Sequence, residues 1–170
     1  MIGKGLLMNK TIQAVSLTYC DIGDEATQAI FEILIFQNSQ LLEFNLSGND
    51  ITDAGIIKVF NGLEVAKSLQ KIYLAANKFT EKEETMDALH KCFITNKRLT
   101  RYDVKNNDIK DEGVQRIIEA LGEAPHVIEV EISGAIEEET FLAFKDAIAA
   151  NKPGKKKKGK KKWADRGDDL

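Results

Sequence analysis

The sequence is poor in the residues that usually build metal and catalytic sites. Its 170 residues include only two cysteines and two histidines. Cys20 and Cys92 stand in no metal-ligand spacing, so both are predicted to be small, buried side chains with free thiols. His90 and His126 have no serine or cysteine nucleophile at a recognisable spacing. The sequence therefore predicts no catalytic residue, no metal ligand and no cofactor, and it favours a protein that is not an enzyme.

Long apolar runs are missing as well. The first ten residues contain an apolar run at residues 6–8 only, which is too short for a signal peptide. No later stretch is long and apolar enough to span a bilayer. We therefore expect a cytoplasmic protein that does not bind membranes.

Two partial motifs lack residues that their chemistry needs. Residues 154–161 nearly match a phosphate-binding loop, but the serine or threonine that binds magnesium is absent, and no strand precedes them. Residues 103–107 begin like a calcium loop, yet Asp108 stands where the loop needs glycine and Val114 where it needs a bidentate glutamate. Neither a nucleotide nor calcium is expected.

Charge is distributed unevenly along the chain. Residues 151–170 carry nine basic and three acidic side chains, a net charge of +6, whereas residues 1–150 carry a net charge of −9. Eight lysines fall between Lys152 and Lys162, directly before Trp163. The sequence therefore predicts a folded acidic domain at residues 1–151 and a lysine-rich tail at residues 152–170.

The lysine-rich tail predicts a second contact with a partner. Clustered lysines pair with carboxylates or release counterions from an anionic surface. An acidic protein surface is the expected target, with Trp163 as a candidate anchor in a groove of the partner. Nucleic acid is disfavoured because the acidic domain would repel it.

The most informative feature is a repeated pattern. It is clearest at residues 41–55, where Leu41, Phe44 and Leu46 are followed by Asn49 and Ile51. The same order recurs in four other copies, of which the last is the least regular. The five copies begin at residues 12, 41, 69, 99 and 127, so the period is 28 to 30 residues. A period of this length leaves room for one strand and one helix per copy.

This pattern resembles the leucine-rich repeat family, and its period resembles the ribonuclease-inhibitor class of that family. The resemblance covers about residues 9–151. It implies an α/β solenoid, a short horseshoe of about five repeats, with a parallel sheet on the concave face and helices on the convex face. The repeats are similar in number and total length to those of the tropomodulin repeat domain.

The resemblance also implies a class of function. Proteins of the ribonuclease-inhibitor class mostly bind other proteins, so we expect a non-enzymatic adaptor or a structural component of a larger assembly, which is cytoskeletal or ciliary by analogy with tropomodulin and flagellar relatives. One alternative is a GTPase activator that resembles the Ran activators. The other is nucleic-acid binding through the tail.

Structural roles can be predicted for the repeated polar residues. Asn49, Asn77 and Asn107 follow a strand, where their side chains can satisfy backbone groups of the turn. Asp24, Asp53 and Asp111 precede a helix, where a carboxylate suits the positive end of the helix dipole. The third copy lacks that aspartate and the glycine after it, so a shifted helix start is expected there.

The outward positions of the strands supply the candidate binding residues. Alternation along each strand turns apolar residues inward and their neighbours toward the concave face. The middle strands there combine an aromatic ring with long charged side chains, which are common at protein-binding hot spots. The candidate partner-binding residues are Glu43, Asn45, Lys71, Tyr73, Arg101, Asp103 and Lys105, together with Trp163 of the tail.

A purely structural role for this face is the alternative. In that case opposite charges pair across the strands, Glu43 with Lys71 and Arg101 with Glu129. Each pair then stabilises the sheet by about 0.2–1 kcal/mol.

Overall fold

The computed structural model describes residue 5, residues 9–36 and residues 39–154. The apolar run at residues 6–8, Asn38, the lysines from Lys155 onward and Trp163 lie outside the described residues.

Within the described residues, five short strands form one parallel sheet in the order of the chain. The strands are β1 (Ala14–Ser16), β2 (Glu43–Asn45), β3 (Lys71–Tyr73), β4 (Arg101–Asp103) and β5 (Glu129–Glu131). Successive strands pair without any slip in register, so Glu43 lies beside Lys71 and Lys71 beside Arg101. The predicted arrangement of one strand per repeat is confirmed.

A helix follows each of these strands. The helices are α1 (Thr27–Ile35), α2 (Asp53–Val65), α3 (Glu83–Thr95), α4 (Asp111–Glu123) and α5 (Glu138–Asn151), and a 3-10 turn at Asp24–Ala26 precedes the first. Each helix packs beside the next one in the chain. The molecule is therefore an α/β solenoid with its sheet on the concave face and its helices on the convex face.

The core lies between the sheet and the helices. Phe44, Leu46, Ile72 and Leu74 are at most 1% exposed, as the alternation predicts. The first helix buries Thr27, Ile30, Ile33 and Leu34, whereas Ala26 in the turn before it is exposed. Within the described residues, the first repeat has a neighbouring repeat on one side only. Its helix therefore has fewer side chains to pack against.

The prediction for the cysteines is correct for one residue and wrong for the other. Cys92 is buried with its sulfur 3.6 Å from the Tyr102 hydroxyl oxygen. Burial raises the pKa of Cys92 to about 12, so its thiol stays protonated and unreactive at neutral pH. Cys20 is exposed, because it lies in the turn of the first repeat and no described repeat precedes it.

Asparagine side chains join the turns of successive repeats. Asn77 Nδ2 donates to the carbonyl oxygens of Leu46 and Leu74, each at 3.0 Å, while its Oδ1 accepts the backbone N–H of Ile51 at 3.2 Å. Asn49 and Asn107 make corresponding bonds to the repeats before them. The predicted role of these asparagines is confirmed, with the addition that each side chain bridges two repeats.

The carboxylates near the helix starts also join repeats. Asp24 Oδ1 accepts the backbone N–H of Thr52 at 2.8 Å, and Asp111 Oδ1 accepts that of Glu137 at 2.9 Å. Thr52 and Glu137 are the residues that precede the next helix in the chain. The expected position of these carboxylates is confirmed, but their hydrogen bonds go to the following helix.

The third repeat keeps this contact with a different residue. Its helix begins at Glu83, twelve positions after the start of β3, whereas α2 and α4 begin ten positions after the starts of β2 and β4. The predicted shift of the helix start is therefore confirmed. Glu81 lies ten positions after the start of β3. Its Oε2 accepts hydrogen bonds from the backbone N–H groups of Lys110 and Gly113, each at 2.8 Å.

These inter-repeat contacts explain the glycine that follows two of the aspartates. A Cβ atom at Gly55 would lie 2.2 Å from Asp24 Oδ1, and one at Gly113 would lie 2.8 Å from the Glu81 Cβ. Both separations are too short for a side chain. The glycine at position 55 leaves room for the Asp24 carboxylate of the preceding repeat. The glycine at position 113 leaves room for Glu81 of the preceding repeat and for Ile109 Cγ2, which would lie 2.7 Å from a Cβ atom.

Asparagines also close the helix ends. Asn96 Nδ2 donates to the carbonyl oxygen of Ala66 at 3.0 Å, at the end of the preceding helix. Asn151 Nδ2 donates to the carbonyl oxygens of Leu121, Ala124 and Val127 at 3.0 to 3.1 Å. Asn151 thereby fixes the end of α5 beside the residues that lead into β5.

We predict that Asn77→Ala lowers the free energy of unfolding by about 2–4 kcal/mol, because it leaves buried backbone groups without partners. The measurement is urea unfolding followed by circular dichroism. Asn45→Ala is the control, since Asn45 is only partly buried and its side chain accepts one local bond from the Ser47 N–H. Equal losses in the two variants would contradict the inter-repeat role of Asn77.

A second prediction concerns acid stability and Asp53. Burial alone would raise the pKa of this carboxyl, but hydrogen bonds from the Thr80 N–H, Lys82, Thr85 and the Thr80 hydroxyl outweigh burial and lower it. A lowered folded-state pKa stabilises the protein above the unfolded-state value of about 3.8, and this stabilisation is lost as the pH falls below that value.

Asp53→Asn should therefore be less stable than the parent at neutral pH, and the difference should shrink in acid. Unfolding by urea at a series of pH values measures it. The control is Asp146→Asn, which alters an exposed carboxylate of α5. A difference that stays constant with pH would show that the ionised carboxylate is not the stabilising group.

Candidate functional site

The candidate residues lie in rows across the concave face. In-register pairing aligns Glu43, Lys71, Arg101 and Glu129 in one row and Asn45, Tyr73, Asp103 and Glu131 in the next. Lys105 follows Asp103 by two residues and extends the same face. The predicted outward positions are thus brought together on one surface.

A pocket of about 180 Å³ lies on this surface over strands β3 to β5. Buried Ile72 and Tyr102 line it, together with outward-facing residues that supply one aromatic ring, two cations and three carboxylates. The polar and aromatic residues on the face that line it are Tyr73, Arg101, Asp103, Lys105, Glu129 and Glu131. This combination can hold a polar segment of a protein against a hydrophobic ring.

Four of the seven predicted face residues line the pocket and three do not. Tyr73, Arg101, Asp103 and Lys105 line it, whereas Glu43, Asn45 and Lys71 lie on the β2 side of it. Glu129 and Glu131 were not among the predicted binding residues, although both line the pocket. Their alternation with buried Val130 was the signal that placed them on this face.

Ion pairs cross the strands throughout the site. Arg101 Nε lies 3.3 Å from Glu129 Oε2, and Lys71 pairs with Glu43, so both predicted pairs are confirmed. Lys105 Nζ adds contacts of 3.2 Å to Glu131 and 3.8 Å to Asp103. These side chains are partly exposed, so each pair contributes roughly 0–1 kcal/mol to stability.

The pKa values of Asp103 and Lys105 are both raised by their surroundings. Burial raises the pKa of Asp103, with the Glu131 charge acting in the same direction, and the N–H group and ammonium of Lys105 only partly oppose the shift. The hydrogen bond to Glu131 and the charges of Asp103 and Glu131 raise the pKa of Lys105. Lys105 is therefore positively charged at neutral pH and interacts with the carboxylates of both Asp103 and Glu131.

Each of the two histidines contacts a residue of a neighbouring repeat. His126 Nε2 lies 2.9 Å from the carbonyl oxygen of Asn96, and burial lowers the pKa of His126. His90 Nε2 lies 3.2 Å from Glu123 Oε1 on the next helix. Both side chains are partly buried.

Two features are absent from residue 5 and residues 9–36 and 39–154. Three or more potential metal ligands nowhere come together in this part of the chain. Its helices are also too short or too polar to cross a membrane.

The sequence matches a family model. The model is described as a Leucine Rich repeat, and it matches residues 9–31, 37–60 and 95–117. These matches fall on the first, second and fourth copies of the pattern. No curated protein sequence is a significant match to this chain.

Solved structures of similar fold include one domain of leiomodin-1 and one of tropomodulin. The first is the actin-binding site 2 of leiomodin-1, with a TM-score of 0.78 and 16% identity over 88% of this chain and 86% of that one. The second is the C-terminal domain of tropomodulin from Caenorhabditis elegans, with a TM-score of 0.72 and 17% identity over 89% of this chain and 93% of that one. At these identities the likeness concerns the fold.

The 28-to-30-residue period, one strand and one helix in each repeat, the asparagine-bridged turns and the matching family model agree with one another. The chain has the leucine-rich repeat fold of the ribonuclease-inhibitor class, and three of its five repeats match the leucine-rich repeat family model.

Proposed function

We propose that the chain is a non-enzymatic protein-interaction module, an adaptor or structural component of a cytoskeletal assembly. In this proposal residues 1–151 form the binding domain and residues 152–170 a basic tail that makes a second contact. The domain binds its partner through the concave face over β3 to β5. The pocket at Tyr73, Arg101 and Lys105 is the observation that carries the proposal.

The chemistry of the pocket supports binding to a protein. Tyrosine and arginine dominate protein-binding hot spots because they bury large apolar surfaces and still offer hydrogen bonds. Arg101 and Lys105 are held in place by Glu129 and Glu131, so a partner meets side chains that are already oriented. Less side-chain entropy is then lost on binding.

The cytoskeletal part of the proposal is supported by the fold alone. A leiomodin domain named for actin binding and a tropomodulin domain share the fold over most of this chain. Actin is therefore the first partner to test.

We predict that the purified chain binds actin, and that Tyr73→Ala with Arg101→Ala weakens binding at least about tenfold, as expected for the loss of one hot spot. Binding is measured with labelled actin monomers by fluorescence anisotropy and with filaments by co-sedimentation.

The matched control is Phe141→Ala with Lys145→Ala. This pair is also an aromatic ring with a cation, 4.2 Å apart, but it lies on α5, away from the sheet face. If both double variants bind actin as the parent does, the concave face is not the binding surface. If the parent itself binds neither form of actin, the proposed actin partnership is wrong.

A further inference from the structure

The last repeat is strongly acidic. Residues 127–151, which form this repeat, carry six carboxylates and a single lysine, and all six carboxylate residues are exposed. Most of the net charge of −9 on residues 1–150 therefore sits in this one repeat. The lysine-rich tail begins immediately after it.

Two of these carboxylates also belong to the concave pocket. Glu129 and Glu131 have side chains that are 49% and 48% exposed, and they stand on β5, which pairs with β4 alone among the described strands. The pocket contains three carboxylates against two cations, so it can accept one more positive charge. Arg101 and Lys105 occupy the β4 side, which leaves the open side of β5 for an incoming cation.

The chain leaves the last helix beside this strand. Asn151 Nδ2 lies 3.0 Å from the carbonyl oxygen of Val127, two residues before Glu129. Lys152 then has an extended backbone, with φ of −70° and ψ of 134°, which ends the helix. The lysines that follow therefore start close to the edge of the concave face.

The tail is long enough to reach the pocket. An extended chain covers about 3.3 Å per residue, while neighbouring strands lie about 4.8 Å apart. Residues 155–162 can therefore pass Glu129 and Glu131 without any change in the domain. A tether this short gives an effective concentration on the order of 1 mM, so docking requires a bimolecular Kd of only about 1 mM or below.

We propose that residues 155–162 dock on the β5 side of the concave face, against Glu129 and Glu131, and compete there with the protein partner. The first half of this inference concerns the free chain. The competition rests on the proposed function, because it assigns the same face to a partner. An anionic partner surface that binds the lysines would release the tail and uncover the face.

The single tryptophan of the chain provides the test. Trp163 follows the lysine run directly, so its fluorescence anisotropy reports whether this segment turns with the domain. At low salt the full chain should show a higher Trp163 anisotropy than the Glu129→Gln, Glu131→Gln variant. The anisotropy of the parent should fall to the value of the variant as salt is raised, because the screening length shrinks from about 30 Å at 0.01 M to about 10 Å at 0.1 M.

The matched control is Glu83→Gln with Glu84→Gln, which removes two exposed carboxylates from the first turn of α3. This variant should keep the anisotropy of the parent. Thermal unfolding of both variants confirms that the domain is intact. The proposal is overturned if Glu129→Gln, Glu131→Gln behaves like the parent, or if both double variants lose anisotropy equally.

Dilution separates docking within one chain from association between chains. The anisotropy should not change with protein concentration, and a decrease on dilution would overturn the proposal in favour of contact between copies. The experiment contains no partner. A failure to bind actin therefore leaves this result unaffected, and a failure of docking leaves the test of the concave face unaffected.

Discussion

The hydrogen bonds of Asn49, Asn77 and Asn107 are the constraint on which the rest of the structure depends. Each three-residue strand runs into a turn that the next repeat covers, so the backbone groups of that turn lose contact with water. Such groups need partners inside the protein. One amide side chain supplies a donor to two repeats at once and so holds their strands in register. The rows of side chains on the concave face follow from that register.

The period of the sequence was sufficient to predict this register, and with it the contacts that run straight across the sheet. Lys71 with Glu43 and Arg101 with Glu129 are such pairs. The contact of Lys105 with Glu131 was not predictable, because it runs diagonally and depends on the conformation of a long side chain. Asp24 precedes a helix of its own repeat, so the sequence could not show that its carboxylate bonds to the next one. Cys20 was expected to be buried from its residue type, but burial at that position requires a preceding repeat.

The concave face carries ion pairs between neighbouring strands, and β5 is the last strand of the described sheet. Each cation of the pocket is held by a carboxylate from the next strand, so the face is ordered before any partner arrives. A partner must offer groups that match these pairs or replace them. Such a surface contributes more to the choice of partner than to the strength of binding. The surplus of carboxylates at β5 makes the face sensitive to any cation nearby, including those of the same chain.

The carboxylates that cap the following helix and the asparagines that close the preceding one have a consequence for how such a chain can change in evolution. The bonds of Asp24, Glu81, Asn96 and Asp111 join residues 26 to 32 positions apart, close to one period of the pattern. Insertion of a few residues between two helices would separate the capping side chains from the backbone groups that they bind in the neighbouring repeat. Insertion of one whole repeat would restore every contact. The length of the solenoid can therefore grow or shrink by complete repeats, whereas intermediate lengths break the bonds that hold neighbouring repeats together.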